Sequence, residues 1–315
     1  MTVLTSKVEP LWDGGMNPVI ELDRLSVRYG GFSAVSDVSL QVSPGELYAL
    51  LGANGAGKTS TLETIEGHRA ADGGSVRVFG EDPRRRRAVR PRTGIMLQIG
   101  GFSPELDACE SVELFGALSG RKDDAPKVLD TVGLGHRARV RVSQLSGGEQ
   151  RRLDFATAIW GGPELIVLDE PTTGLDVNAR DDLWAAVQSL RDAGTTFLLT
   201  THYLEEAQQY ADRIGVMQDG TLRLEGTVAD ITSTLPARIS FRLPPDAAAP
   251  AGAERMPDDS FTIRTTRIQD DLHALLGWAA ENDVALQALE AGSPRLDDVL
   301  RSIADHQPEP DEEKQ

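Results

Sequence analysis

The sequence predicts an α/β protein, with one large domain built on a mostly parallel sheet and a small α+β appendage after it. Three observations carry this expectation. Short apolar strand-like runs recur, Tyr48-Ala-Leu-Leu51, Leu165-Ile-Val-Leu168 and, bounded by threonines, Thr196-Phe-Leu-Leu-Thr200, as expected of strands buried on both faces. The first run ends in a glycine-rich turn and the second in two adjacent carboxylates, Asp169-Glu170, so polar chemistry gathers at strand carboxyl ends, where open α/β sheets bind ligands. After Leu235 the composition shifts, and short strand-like and helix-like segments flank a Pro/Ala/Gly-rich loop.

Taken in chain order, residues 1–16 carry no clear period, and 1–17 read as a flexible extension. Strand-like Val19–Tyr29 and Ala34–Val42 are joined at Gly30-Gly31, and Ser43-Pro-Gly45 turns the chain into Tyr48–Leu51. A helix opens at Lys58, and Gly94-Ile-Met-Leu97 is a further apolar strand, closed by Gln98. From about Gly100 to Trp160 the pattern turns helical, with Val112, Leu114, Phe115 and Leu118 assigned to one side of a segment. A helix from about Glu149 to Ile159 follows, with Ser146 as its N-cap. The sheet resumes at Leu165–Leu168, Thr196–Thr200 and Arg213–Met217, and Asp219-Gly220 opens a last hairpin. Ala237–Leu243 and Ser260–Arg264 read as strands, and Ile268, Leu272, Leu275, Leu276 and Ala279 recur at helical spacing. A strand near Val284–Leu289 and a helix near Leu296–Ala304 complete the appendage. The expected divisions are 18–234 for the main domain, 235–304 for the appendage and 305–315 for an acidic, disordered tail.

The turn Gly52-Ala-Asn-Gly-Ala-Gly-Lys-Thr59 cradles phosphate for a geometric reason. Gly52, Gly55 and Gly57 permit backbone angles that let successive N–H groups converge on phosphate oxygens. The helix start behind them offers free N–H groups and the positive end of its dipole. The expected binding set is Gly52, Asn54, Gly55, Ala56, Gly57, Lys58, Thr59 and Ser60, with Lys58 on the β- and γ-phosphates and Thr59 on Mg²⁺. Asp169 is the second expected Mg²⁺ ligand, and Glu170 the base that polarises the attacking water. A strand ending at a polar turn before Pro171 has the same local pattern. Ser146-Gly147-Gly148 supplies another helix N-terminus able to hold phosphate.

These motifs, in this order, resemble the nucleotide-binding subunit of an ATP-binding-cassette (ABC) transporter. The resemblance implies a P-loop NTPase fold with a RecA-like core, an antiparallel β subdomain and a helical subdomain, and it implies ATP and Mg²⁺ as cofactors. Thr172-Thr-Gly174-Leu175-Asp176 resembles the D-loop, which puts Asp176 at a subunit boundary and favours the catalytic reading of Asp169-Glu170. Gln98 matches the Q-loop glutamine, which contacts metal and water, and His202 matches the switch histidine. Tyr29 stands where the family stacks an aromatic ring on adenine. Ser146, Gly147, Gly148 and Glu149 match the signature that meets the γ-phosphate held by another subunit, with Glu149 where glutamine is more common. Two copies therefore bury two ATP molecules between them, and a separate transmembrane permease is the further partner implied. Ser293-Pro-Arg-Leu-Asp-Asp-Val-Leu300 resembles the ending of ATPase subunits of bacterial drug and lipid exporters of the daunorubicin-resistance type. The expected function is ATP hydrolysis powering export of a drug, lipid or other hydrophobic substrate. An importer ATPase shares every catalytic residue, and a soluble ABC ATPase acting on ribosomes or DNA is the alternative from another class.

Composition limits these readings further. With 315 residues, 40% hydrophobic, the chain is long enough for one large and one small domain. A net charge of −17 argues against broad binding to nucleic acid. No apolar stretch is long enough for a membrane span, which together with the resemblance places the protein peripherally, on the cytoplasmic face of the cell membrane. The single cysteine, Cys109, excludes an intrachain disulfide. Arg84–Arg87, with Arg90 and Arg92, reads first as a solvated face and second as a contact for anionic lipid.

Overall fold

The computed structural model describes residues 17–98, 100–233, 235–244, 247–293 and 296–299; residues 1–16 of the expected N-terminal extension, the tail and the end of the last helix lie outside them. The chain divides into two compact units between Thr227 and Val228, whereas the expected boundary falls at 234/235.

In the first unit, β1 (Ile20–Tyr29), β2 (Phe32–Val42) and, later in sequence, β4 (Gly73–Val78) form an antiparallel sheet in the order β2-β1-β4. Strands β3 (Leu47–Leu51), β5 (Thr93–Met96), β6 (Leu165–Asp169), β7 (Thr196–Thr201), β8 (Arg213–Gln218) and β9 (Thr221–Gly226) form a six-stranded sheet ordered β5-β6-β7-β3-β8-β9. Its neighbours are parallel except β8 and β9. Every residue of β3 and β7 is buried, and each fully buried leucine contributes about 1.5–3 kcal/mol relative to exposure. Asp219 (φ 49°) and Gly220 (φ 73°) make the β8–β9 turn, the two left-handed residues that a tight hairpin requires.

Helices α1 (Lys58–Ile65), α2 (Arg86–Val89), α3 (Ala108–Ser119), α4 (Ala125–Thr131), α5 (Gly147–Ile159), α6 (Val177–Asp192) and α7 (Leu204–Tyr210) complete the unit. Helix α3 corrects one expectation. Val112 is buried, but Leu114 and Leu118 are 48% and 78% exposed. The buried face runs through Ala108, Cys109, Val112 and Gly116 instead. Gly116 decides the face, because a Cβ there would sit 2.3 Å from the Trp160 ring. None of the described helices is long and apolar enough to cross a membrane.

The second unit opens with α8 (Val228–Ser233) and contains β10 (Ala237–Arg242), β11 (Glu254–Arg255), β12 (Phe261–Thr265), α9 (Ile268–Glu281) and β13 (Gln287–Gly292). Its sheet is ordered β11-β12-β10-β13 and is antiparallel. Ile239, Phe241 and Leu275 form its buried core, with the Phe241 and Phe261 rings stacked at 5.9 Å. The last strand begins at Gln287 rather than Val284. The Val284 amide instead bonds the Ala279 carbonyl at 2.9 Å, closing the end of α9. Residues 296–299 are helical, with Leu296 and Val299 buried.

Candidate functional site

The parallel register brings four loop starts to one edge of the sheet. Leu51 pairs with Thr201, Asp169 with Thr200 and Met96 with Leu168, so the segments after β3, β5, β6 and β7 emerge side by side. These segments carry the glycine-rich turn, Gln98, Glu170 and His202.

The turn after β3 is built around glycine. Gly57 has φ 101°, and a Cβ on it would lie 2.5 Å from the Ala34 carbonyl oxygen. Gly52 passes equally close to the Met217 carbonyl, at 2.6 Å. Gly220 N–H donates to Ala56 O at 3.1 Å, tying the turn to the β8–β9 hairpin, and Gly220 O in turn accepts from Ser36 N–H of β2 at 2.7 Å. Lys58 lies almost wholly inside this shell and donates through Nζ to the carbonyls of Gly52 at 2.6 Å and Ala53 at 3.1 Å. Burial lowers its pKa from the usual lysine value, and the charges of Glu170 and Asp169 oppose that shift.

Glu170 sits at the centre of the second half of the site. Its backbone is left-handed at φ 46°, which is costly for a residue with a side chain and turns the carboxylate into the cleft. Gln98 Nε2 donates to Oε2 at 3.1 Å, Thr173 Oγ1 to the same oxygen at 3.3 Å, and His202 Nδ1 meets Oε1 at 3.1 Å. Asp169 accepts from Thr200 Oγ1. Glu66, at the end of α1, has its pKa pushed up to about 7, first by burial and then by Asp169 and Glu63, and meets His68 Nδ1 at 3.0 Å.

A cleft of about 440 Å³ joins these groups and is lined by Tyr29, Phe32, Asn54, Gly55, Gly57, Lys58, Thr59, Ser60, Gln98, Asp169 and Glu170. Tyr29 is 45% exposed there, held by its hydroxyl to Glu63 at 3.0 Å and backed on one face by the Arg69 guanidinium at 4.0 Å. The remaining ring surface is available for stacking. No three His, Cys, Asp or Glu side chains among the described residues could cage a metal. The donors present, a carboxylate at Asp169 and the exposed hydroxyl of Thr59, fit Mg²⁺, which takes one or two carboxylates and completes its shell with phosphate and water oxygens.

Ser146, Gly147, Gly148, Glu149 and Asp176 do not line that cleft. Ser146 caps α5, accepting from Glu149 N–H at 3.2 Å while its own N–H donates to Glu149 Oε2 at 2.8 Å. Glu149 also pairs with Arg137 at 2.7 Å, so its carboxylate serves the cap, and the pKa lies below the usual range chiefly through the Ser146 N–H. Asp176 caps α6 by accepting from Ala179 N–H at 2.8 Å. A Cβ on Gly148 would lie 3.3 Å from the Ala179 Cβ, so the two helix starts abut. The sequence reading gave Arg151 no role, yet its guanidinium donates to the carbonyls of the Asp169–Pro171 turn.

Comparison with known proteins gives matches over both units. Residues 35–173 match the ABC transporter family, and residues 237–294 match the C-terminal domain of ABC transporter domain-containing protein-like chains. The daunorubicin/doxorubicin resistance ATP-binding protein DrrA of Streptomyces peucetius is 35% identical, over 91% of this chain and 92% of its own. The Nod factor export ATP-binding protein I of Paraburkholderia xenovorans is 41% identical, over 66% of this chain and 70% of its own. Among solved structures, an ATP-binding subunit of an ABC transporter superposes with a TM-score of 0.63 at 26% identity, covering 69% of this chain and 92% of that one. A dimeric bacterial ABC transporter cassette gives a TM-score of 0.60 at 25% identity, covering 66% and 98%.

Proposed function

We propose an export motor, because this chain belongs to the ATP-binding proteins of ABC transporters. It binds nucleotide and hydrolyses ATP, and the work of that cycle drives transport. The observation that carries the reading is the convergence on Glu170: a carboxylate bonded by Gln98 and His202 lies in the same cleft as Lys58 and Asp169.

In this reading the N–H groups of Gly55, Gly57 and Lys58 and the Lys58 ammonium hold the β- and γ-phosphates, and adenine stacks on Tyr29. Thr59, Asp169 and Gln98 would hold Mg²⁺, which when bound would supply charge neutralisation at the phosphate oxygens. Glu170 accepts a proton from the attacking water, a contribution of about 10²–10⁴ in rate. Gln98, Thr173 and His202 fix the direction in which its lone pairs point, and His202 senses the γ-phosphate from the other side of the carboxylate. Two copies bind face to face, so that Ser146, Gly147, Gly148 and Glu149 of each close over the ATP of the other, with Asp176 at the seam. Glu149 keeps the cap that holds the Ser146 helix start in shape.

The proposed membrane partner is a separate permease. Exposed Leu114 and Leu118, together with exposed Leu97 beside Gln98, give it an apolar landing surface. Phe102, from the loop after Gln98, packs edge-on against Phe115 of α3 at 5.2 Å and ties that surface to the sensor loop. The chain then sits at the cytoplasmic face of the membrane, and the cargo is a drug, lipid or other hydrophobic substrate; the drug-resistance and Nod factor export named in its relatives support export as the direction of transport.

Mixing tests the two-subunit site. Ser146→Arg and Lys58→Ala chains are each expected to be inactive alone. Their heterodimer contains one site that pairs an intact phosphate turn with an intact Ser146, so partial phosphate release should return on mixing. Normal hydrolysis by Ser146→Arg alone, or wild-type specific activity that does not depend on concentration because a monomer suffices, would refute the shared site.

A further inference from the structure

We propose that Arg151 is a positioning residue for hydrolysis, setting the backbone beneath both Glu170 and Gln98. Arg151 lies on α5 and is only 7% exposed. Its fork makes five hydrogen bonds, all to backbone carbonyls. Nε donates to Pro171 O at 3.0 Å, Nη2 to Asp169 O at 2.9 Å and Glu170 O at 2.8 Å, and Nη1 to Leu97 O at 2.6 Å and Gln98 O at 3.1 Å. A guanidinium has five N–H donors in a rigid plane, so this one is saturated by the two loops that carry the base and the sensor. The nearest acidic side chain, Asp154 on the same helix, stands at 3.7 Å. Arg151 is therefore spent on peptide groups more than on an ion pair.

The carbonyl geometry explains why a cation is needed there. In an extended strand successive carbonyls point in opposite directions. Here three consecutive ones, from Asp169, Glu170 and Pro171, converge on one group. The left-handed Glu170, φ 46°, breaks the alternation and makes convergence possible. Without a donor set at their focus, these partial negative charges would face one another in a buried space, and the turn would relax. Relaxation would rotate the Glu170 carboxylate away from Gln98 and His202, and release of the Leu97 and Gln98 carbonyls would loosen the sensor as well. Arg151 touches no reacting atom; it acts through the residues that do.

The helix adds a direction to this role. Ser146 caps α5, and Arg151 lies about one and a half turns further along the same rigid rod. In the two-subunit reading, ATP held by the other subunit engages Ser146. Any displacement of α5 on that engagement reaches Glu170 and Gln98 through the guanidinium, so each subunit's base is set by the nucleotide of its partner.

The inference rests on the proposed role of Glu170, and one series of full-length variants tests the two separately. For Arg151→Met and Arg151→Ala, ATP affinity measured by equilibrium binding should stay near wild type while kcat falls about 100-fold, the cost of displacing a reacting group by an ångström. Arg151→Lys should not restore turnover, because an ammonium keeps the charge but cannot span the carbonyls. Low millimolar guanidinium, but not an equal concentration of ammonium, should raise kcat of Arg151→Ala and leave wild type unchanged. Wild-type kcat in folded Arg151→Met, full recovery in Arg151→Lys, or a kcat loss that guanidinium does not reverse overturns the proposal. A series in which no member folds, or in which affinity falls in step with kcat, assigns Arg151 to stability and overturns it as well. Glu170→Gln is run beside them. Wild-type turnover there sinks the site assignment itself, whereas collapse there with normal Arg151→Met sinks only the inference.

Discussion

Replacing Glu170 with glutamine isolates the proton-accepting role, because every ground-state contact of the carboxylate has an amide equivalent. The Gln98 and Thr173 bonds both end on Oε2, at 3.1 and 3.3 Å, and the amide oxygen can occupy that position. The amide nitrogen then falls where Oε1 meets His202 Nδ1 at 3.1 Å, and it donates there when the imidazole carries its proton on Nε2. What disappears is the basic lone pair. A positioned general base is worth about 10²–10⁴ in rate, so the barrier should rise by roughly 3–5 kcal/mol. Nucleotide binding should survive. Glu170 supports the protonated form of Lys58 against its burial, but Asp169 acts in the same sense, and one fewer negative charge faces the incoming phosphates. The assays are steady-state phosphate release, equilibrium ATP binding, and size exclusion with ATP, where closed dimers should accumulate as turnover stops. Wild-type turnover would remove Glu170 from the base role. ATP affinity falling as far as the rate would show that the substitution damaged binding, and the reasoning from matched contacts would be wrong.

Two other perturbations follow from geometry and charge. Gly57→Ala places a Cβ 2.5 Å from the Ala34 carbonyl at φ 101°; the turn must shift, and isothermal titration should show ATP affinity reduced more than about tenfold, or roughly 1.4 kcal/mol. Unchanged affinity would mean that the turn absorbs the side chain. Asp154 has its pKa raised to about 6, chiefly by burial, with Arg151 opposing. A folded-state pKa above the unfolded value means that the folded form holds the proton longer, so this carboxyl withdraws stability as pH rises towards 6 and the penalty is complete above it. Asp154→Asn should therefore gain on wild type by about 1–2 kcal/mol between about pH 4.5 and 7.5, after allowance for solvent screening. Urea unfolding at the two ends of that range measures it, and a constant or shrinking gap contradicts the assignment.

What could be read from the sequence depended on how many residue types a position tolerates. The strands buried on both faces, such as Leu47–Leu51 and Thr196–Thr201, announce themselves because consecutive positions carry apolar or β-branched side chains and no charge. Gly57 and Gly52 are legible because a single added carbon meets backbone within 2.6 Å. Strand β4, Gly73–Val78, gave no signal: its two glycines and mixed exposure match neither a buried nor a half-buried strand. In α3 the leucines pointed to the wrong face, because the packing is decided by absence of volume at Gly116 under Trp160 rather than by apolar surface. The same logic separates the two kinds of residue at the candidate site. Lys58 sits in a local string whose chemistry is nearly unique, whereas Asp169-Glu170 shares its pattern with any strand that ends at a polar turn and is read only through the motifs around it. Arg151 is set by five carbonyls from two loops that are distant in sequence from each other and from the helix. Backbone carbonyls carry no sequence identity, so a residue whose partners are all peptide groups leaves no pattern to find. Its role emerges only when folding brings those peptides to one point.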